Sequence, residues 1–193
     1  SGNINATGND ADNILTGNDG ANILDGLGGA DHLIGGKGDD TYIVDDAGDI
    51  VDDPTYFENG GGTDLVISSI NFDLLPLITI ENLTLSGTGN LEGHGNGLNN
   101  VITGNDGDNR LDGYAGADTL SGGKGSDTYV VDSVFDVVTE SVSNANGGGV
   151  DAVESFNVSW SLASLLNVEN LTLTGTWNIN GAGNSLDNTV VGN

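Results

Sequence analysis

Large apolar residues recur along this chain at every ninth position. Leu15, Leu24, Leu33 and Tyr42 keep that spacing, and Ile102, Leu111, Leu120 and Tyr129 repeat the series. Counting back from each, the register starts at Gly8, Gly17, Gly26 and Gly35, and it runs again from Gly95 to Val130. It reads Gly, any, any, usually Gly, any, Asp or Asn, any, large apolar, any. Glycines at the first and fourth positions permit backbone conformations closed to other residues, so six residues are predicted to form a tight loop. The remaining three suit a short strand, where alternate side chains face opposite sides. The eighth residue is then predicted to point inward and the seventh and ninth outward, which leaves His32 and Arg110, both seventh, solvated.

The register continues in degenerate form. Val44 to Asp52 places Asp49 sixth and Val51 eighth, and Val131 to Thr139 places Asp136 and Val138 there, predicting a fifth turn. Asn59 to Asp64 followed by Val66, and Asn146 to Asp151 followed by Val153, predict loops of the same kind. The stretches Thr63 to Leu77 and Thr79 to Ser86, with their copies, read as longer apolar strands that extend or cap the array. Asn82 and Asn170 either form a ladder or end strands. A longer period overlies this one. Residues 1–89 form a first block, 90–177 a second and 178–193 the start of a third, since Glu81-Asn82-Leu83-Thr84-Leu85 returns as Glu169-Asn170-Leu171-Thr172-Leu173. Such periodicity predicts a repeat array, here cut from a longer one.

Charge narrows the chemistry. Asp plus Glu outnumber Lys plus Arg by 29 to 3, a net charge of -26 that repels nucleic acid and anionic lipid and calls for cations. Cysteine is absent, so neither a disulfide nor a thiolate ligand is available, and another cross-link such as metal is expected. No apolar run reaches the roughly 18 residues of a membrane span, and Ser1 onward lacks the pattern of a signal peptide, so a soluble chain is predicted. The EF-hand pattern, an HExxH pair, a GxSxG elbow and the ending of a phosphate loop are all missing, so no catalytic activity is expected.

The nonapeptide, best in Gly35 to Asp40 and Gly122 to Asp127, resembles the RTX or haemolysin-type calcium-binding repeat. That resemblance implies an all-β, right-handed parallel β-roll or β-helix solenoid in which two nine-mers make a turn and calcium ions lie between stacked GGxGxD loops. Calcium takes 6 to 8 oxygen ligands at roughly 2.3 to 2.6 Å. On this reading the loops at Gly8 and Gly26, Gly17 and Gly35, Gly95 and Gly113, and Gly104 and Gly122 pair. The sixth-position Asp31, Asp40, Asp118 and Asp127 are the leading ligands, joined by Asp49, Asp136, Asp64 and Asp151. Asn13, Asn22, Asn100 and Asn109 replace Asp at the sixth position, a departure that weakens those half-sites or makes them lean on third-position Asp10, Asp19 and Asp106. Gly8, Gly17, Gly26, Gly28, Gly35, Gly104, Gly113, Gly122, Lys37 and Lys124 are candidates to offer carbonyls.

The resemblance further implies a bacterial secreted protein, exported unfolded by type I secretion machinery and ordered by calcium outside the cell, with neighbouring repeats of a longer chain as partners. Turn chemistry without metal is the alternative account of the Asp and Asn residues. A second functional reading is a calcium-dependent accessory module that uses calcium and aromatic residues, with Trp160, Trp177, Tyr56 and Tyr114 as candidates, to bind an anionic polysaccharide or cell surface.

Overall fold

The computed structural model describes residues 2–53 and 61–193 and is an all-β solenoid of about ten turns. Strands β1 (Ala6–Thr7), β3 (Ile23–Asp25), β5 (Thr41–Val44), β7 (Leu65–Ser68), β9 (Asn82–Leu85), β11 (Val101–Thr103), β13 (Thr119–Ser121) and β15 (Val137–Thr139) form one sheet in that order. A second sheet runs β8 (Phe72–Asp73), β10 (Glu92–His94), β12 (Arg110–Asp112), β14 (Thr128–Val131), β16 (Ala152–Phe156), β18 (Asn170–Thr174) and β20 (Thr189–Val191). Two smaller sheets join β2 (Ile14–Thr16), β4 (His32–Ile34) and β6 (Ile50–Asp52), and β17 (Trp160–Ser161) and β19 (Gly181–Ala182). Consecutive strands thus alternate between sheets, and the pairings between named strands are parallel.

A turn usually takes two nonapeptides: Leu24 pairs beside Tyr42, Leu15 beside Leu33 and Leu111 beside Tyr129. Twice the turn is six residues wider, Tyr42 pairing beside Val66 and Tyr129 beside Val153. The fifth turns read from the sequence are β6 and β15. Pairing passes without a break from β9 to β11 and from β8 to β10, so the long blocks are copies within one stack. Each copy contributes nine half-turns, an odd number. Equivalent residues therefore fall on opposite walls: Tyr42 lies in the sheet of β5 and Tyr129 in that of β14.

The core is the column of eighth-position side chains. Leu24, Leu33, Tyr42, Ile102, Leu111, Leu120 and Tyr129 are fully buried, and Leu15, Val51, Val66, Val138 and Val153 join them. Each such leucine contributes on the order of 2 kcal/mol of apolar burial. The stretches expected to be longer strands are instead short strands broken by turns, because the width of the roll limits a strand to a few residues. Buried Ser68 makes one corner, its Oγ donating to the Ile70 carbonyl at 2.8 Å, and Ser155 repeats it toward the Val158 carbonyl at 2.7 Å. Leu74 and Ile80, and their copies Leu162 and Val168, then plug the interior, so these segments extend the roll. Asn82 and Asn170 open strands, Asn82 donating from Nδ2 to the Asp64 carbonyl at 3.1 Å. His32 and Arg110 lie on outer faces half-buried, each against a carboxylate, Asp52 at 3.4 Å and Glu154 at 2.7 Å.

Candidate metal centres in the stacked loops

Every strand of three or four residues hands the chain to a loop at the edge of the roll, and parallel stacking sets successive loops about 4.8 Å apart. The sixth-position side chains use that spacing to form ladders. Asp31 Oδ1 accepts from the Asn13 backbone N–H at 2.7 Å, Asp40 from Asn22 at 2.8 Å, Asp118 from Asn100 at 2.7 Å and Asp127 from Asn109 at 2.8 Å. The ladders climb on: Asp49 accepts from Asp31, Asp64 from Asp40, Asp136 from Asp118 and Asp151 from Asp127. Glu81 and Glu169 cap the two that reach Asp64 and Asp151, accepting from their N–H groups at 2.9 Å.

Within this common ladder the loops come in two forms. Where the second and sixth residues are both Asn, the loop closes on itself. Asn13, Asn22, Asn100 and Asn109 each accept from the second-position N–H with Oδ1, at 2.6 to 2.8 Å. The second Asn in turn accepts two residues ahead, as Asn18 does from Gly20 and Asn105 from Gly107. Its amide also reaches down the stack: Asn96 Nδ2 donates to the carbonyls of Leu77 and Ile80, both at 2.8 Å. Asn184 and Asn188 build the same loop.

In the Gly-initiated loops whose sixth residue is Asp and whose second is not Asn, the backbone turns through the left-handed region instead. Leu27 (φ 60°), Gly36 (109°), Tyr114 (55°) and Gly123 (102°) do so at the second position, and Gly29, Gly38 and Gly125 at the fourth. The first-position glycine, expected to supply such a conformation, serves a different end. A Cβ on Gly26, Gly35, Gly113 or Gly122 would overlap the Oδ2 of Asp31, Asp40, Asp118 or Asp127, and one on Gly8, Gly17 or Gly104 would overlap the Asn amide oxygen. Glycine stands first because the sixth side chain folds back over it.

The Asp loops leave oxygens over. Among the described residues, Oδ2 of Asp31, Asp40, Asp64, Asp118, Asp127 and Asp151 is buried with no hydrogen-bond partner, and these residues are at most 2% exposed. Burial drives the carboxyls of Asp40, Asp118, Asp127 and Asp151 upward against the pull of the backbone N–H each accepts, with neighbouring carboxylates pushing the same way. Asp40 rises to about 6, Asp118 and Asp127 to about 7 and Asp151 to about 8. Asp64 is raised by burial and by Asp53 and Glu81 beside it. A buried carboxylate without a partner is costly, so the arrangement suits a hard cation able to take the spare oxygens.

Asp49 and Asp136 differ from their neighbours, because their second oxygens accept from Asp45 and Asp46, and from Asp132 and Ser133. The third-position Asp10, Asp19 and Asp106 are exposed. Asp19 and Asp106 pair with Lys37 and Lys124 one turn on, at 3.2 and 2.6 Å, and Gly28 sits over Asp10. The aromatic residues occupy separate settings. Trp160 packs on the core, Tyr114 lies 5.6 Å from the His94 ring, Trp177 is exposed, and Tyr56, with Asn59 and Gly60, lies outside the described residues.

Sequence reasoning passed over Glu81, Glu169, Asp53 and Glu140. The first pair was visible as the acid opening the repeated Glu-Asn-Leu-Thr-Leu. The second pair was visible as an acid at a first position, where the regular nonapeptides have glycine.

A family model described as RTX calcium-binding nonapeptide repeat (4 copies) matches the chain twice, over residues 7–42 and 94–129, each match spanning four nonapeptides. No curated protein and no solved structure matches it. Both matched segments cover the Asn and Asp loops just described, so the chain carries RTX calcium-binding repeats, and the solenoid of which they are part matches an RTX β-roll.

Proposed function

We propose that the chain is a calcium-dependent structural module that is unfolded and self-repelling where calcium is scarce and folds outside the cell after secretion. The observation that carries this reading is the set of buried, unpartnered Asp oxygens stacked along the two edges of the roll. The ligand groups come from loops 18 or 24 residues apart and do not assemble until the turns stack, so binding energy becomes folding energy. Ions are assigned to Asp31, Asp40 with Asp64, Asp118, and Asp127 with Asp151, completed by loop carbonyls. The Asn13, Asn22, Asn100 and Asn109 side chains close their own loops, and those loops offer main-chain oxygen and, in three of them, exposed carboxylates, Asp10, Asp19 and Asp106 among them.

Extracellular calcium modules work at roughly 0.1 to 1 mM, a range that separates cytoplasm from medium. An unfolded, cysteine-free chain suits passage through a type I secretion channel, and the module serves a larger secreted bacterial protein as a stabilising rather than catalytic part. The separate settings of Trp160, Tyr114 and Trp177 give no support to a glycan surface.

Circular dichroism of the chain titrated with calcium, with magnesium as control, tests this. A cooperative gain of β signal with calcium alone is expected. Full β structure in chelator at neutral pH would sink the coupling.

A further inference from the structure

One cluster of acids does not follow the loop pattern. Asp127, Glu140 and Asp151 are all buried and each places a carboxylate oxygen within 4.8 Å of those of the other two. Glu140 occupies a first position, where the regular loops have no room for a Cβ because the sixth-position acid folds over it. The turn between Asp127 and Asp151 is one of the two wide ones, and its six extra residues, including a 3-10 turn at Asn144–Asn146, open that space. A side chain at this position is then aimed at the sixth-position acids.

The Glu140 carboxylate is held in place. Its Oε2 accepts from the Tyr129 hydroxyl at 2.5 Å and its Oε1 from the Val142 N–H at 2.8 Å, while Tyr129 itself accepts from the Gly122 N–H at 3.0 Å. The two aspartates keep unpartnered, buried Oδ2 atoms. No basic side chain is free to neutralise the trio. The three in the chain are committed to Asp19 (Lys37), Asp106 (Lys124) and Glu154 (Arg110).

We propose that Glu140 joins the Asp127 and Asp151 pair to form a three-carboxylate calcium centre, which the other loop-pair sites are not, and that this centre is the first to fill. It rests on the reading of the chain as a calcium-loaded roll. Two carboxylates balance a calcium ion, so a third leaves an excess negative charge that raises affinity and favours a trivalent ion further, since ligand charge count tunes such sites. The first copy supplies the internal contrast. There the corresponding residues are Asp40, Asp53 and Asp64, and the acid at the first position is one methylene shorter.

The test uses the whole chain stripped of metal, titrated with calcium in a calorimeter. One ion per chain is expected to bind at least tenfold tighter than the rest. Glu140→Gln should remove it and Glu140→Asp weaken it, with the circular dichroism in saturating calcium unchanged. Terbium gives an independent readout, because Tyr129 touches the site: its first equivalent should emit on tyrosine excitation, and Tyr129→Phe, which keeps all three acids, should cut that emission severalfold. This second variant decides the matter if Glu140→Gln fails to fold. A tight site that survives Glu140→Gln, or first-equivalent emission indifferent to Tyr129→Phe, overturns the centre while leaving the calcium roll intact. A wild-type chain that neither binds calcium nor folds with it overturns both.

Discussion

The Asn loops and the Asp loops solve one problem in two ways. Both must turn the chain in six residues and offer the turn before it a hydrogen-bond acceptor. The loop from Gly95 to Asn100 does so with amides, whose N–H₂ groups neutralise neighbouring carbonyls and leave little unsatisfied. The loop from Gly113 to Asp118 does so with left-handed backbone at Tyr114 and a carboxylate that spends one oxygen on the ladder and has the other to spare. The first kind is complete as protein. The second keeps a buried oxygen to spare, and on the proposed reading a cation completes it, which makes folding of the roll conditional where Asp loops stand and not where Asn loops do.

The largest test of that contrast is pH in the absence of calcium. In the unfolded chain an Asp carboxyl titrates near about 3.9. In the roll Asp40 is pushed up to about 6, Asp118 and Asp127 to about 7 and Asp151 to about 8. Raised values mean that the folded state holds its protons more tightly, so these groups support the metal-free roll fully below about pH 4. That support is lost as pH climbs through 6 to 8. In chelator, β signal at pH 4 should therefore exceed that at pH 8, and saturating calcium should erase the difference. A metal-free chain that gains structure on alkalisation would contradict the assignment of the Asp loops.

Exchanging the sixth residue between the two kinds comes next. Asp118→Asn removes a charge from an oxygen pair awaiting an ion, and the calcium midpoint should rise on the order of tenfold, about 1.4 kcal/mol. Asn100→Asp removes an amide that donates to the Glu81 carbonyl at 3.0 Å and sets oxygen against oxygen. It should cost about 1 to 3 kcal/mol in chemical denaturation even with calcium present. Equal effects from both exchanges would mean that the two loop forms are one.

The second position sharpens the contrast in sign. Leu27 holds φ 60° and is exposed, so Leu27→Gly should relieve strain and stabilise the roll by about 1 kcal/mol. Asn96 is buried and donates to two carbonyls, so Asn96→Gly should cost about 2 kcal/mol. Thermal melts of both in saturating calcium give the answer.

How much of this was legible in the sequence follows from the same residues. A period of nine with an apolar eighth residue already specifies columns such as Leu24 with Tyr42 and Leu15 with Leu33, because a strand has only two faces. The sixth-position acid was legible too, since every nonapeptide from Gly8 to Ile43 and from Gly95 to Val130 has Asp or Asn there, while the Asp residues at third, fifth and ninth positions come and go. What the period could not carry was the difference between Asn and Asp loops, which depends on a second residue that the pattern scores as any. Nor could it reveal what Glu81 and Glu140 do, since Glu81 stands outside the nonapeptides and Glu140 takes a first position whose usual glycine has no side chain to aim. Their roles appear only when residues 17 and 24 positions apart are stacked, as Glu81 on Asp64 and Asp151 on Asp127.

The smallest expected effect lies outside the loops' inner face. Lys124, third in an Asp loop, meets Asp106, third in the Asn loop one turn below, at 2.6 Å, and Lys37 meets Asp19 likewise. Both partners are about half exposed, so water and salt screen the pair and its worth is below about 1 kcal/mol. Lys124→Ala should then change the calcium midpoint by less than about threefold at 0.15 M salt and by nothing measurable at 1 M, where the screening length is about 3 Å. A tenfold change would show that cations on the rim, and not the spare oxygens of the Asp loops alone, decide how strongly the edge attracts calcium. The division between self-sufficient and metal-dependent loops would then have to include their third positions.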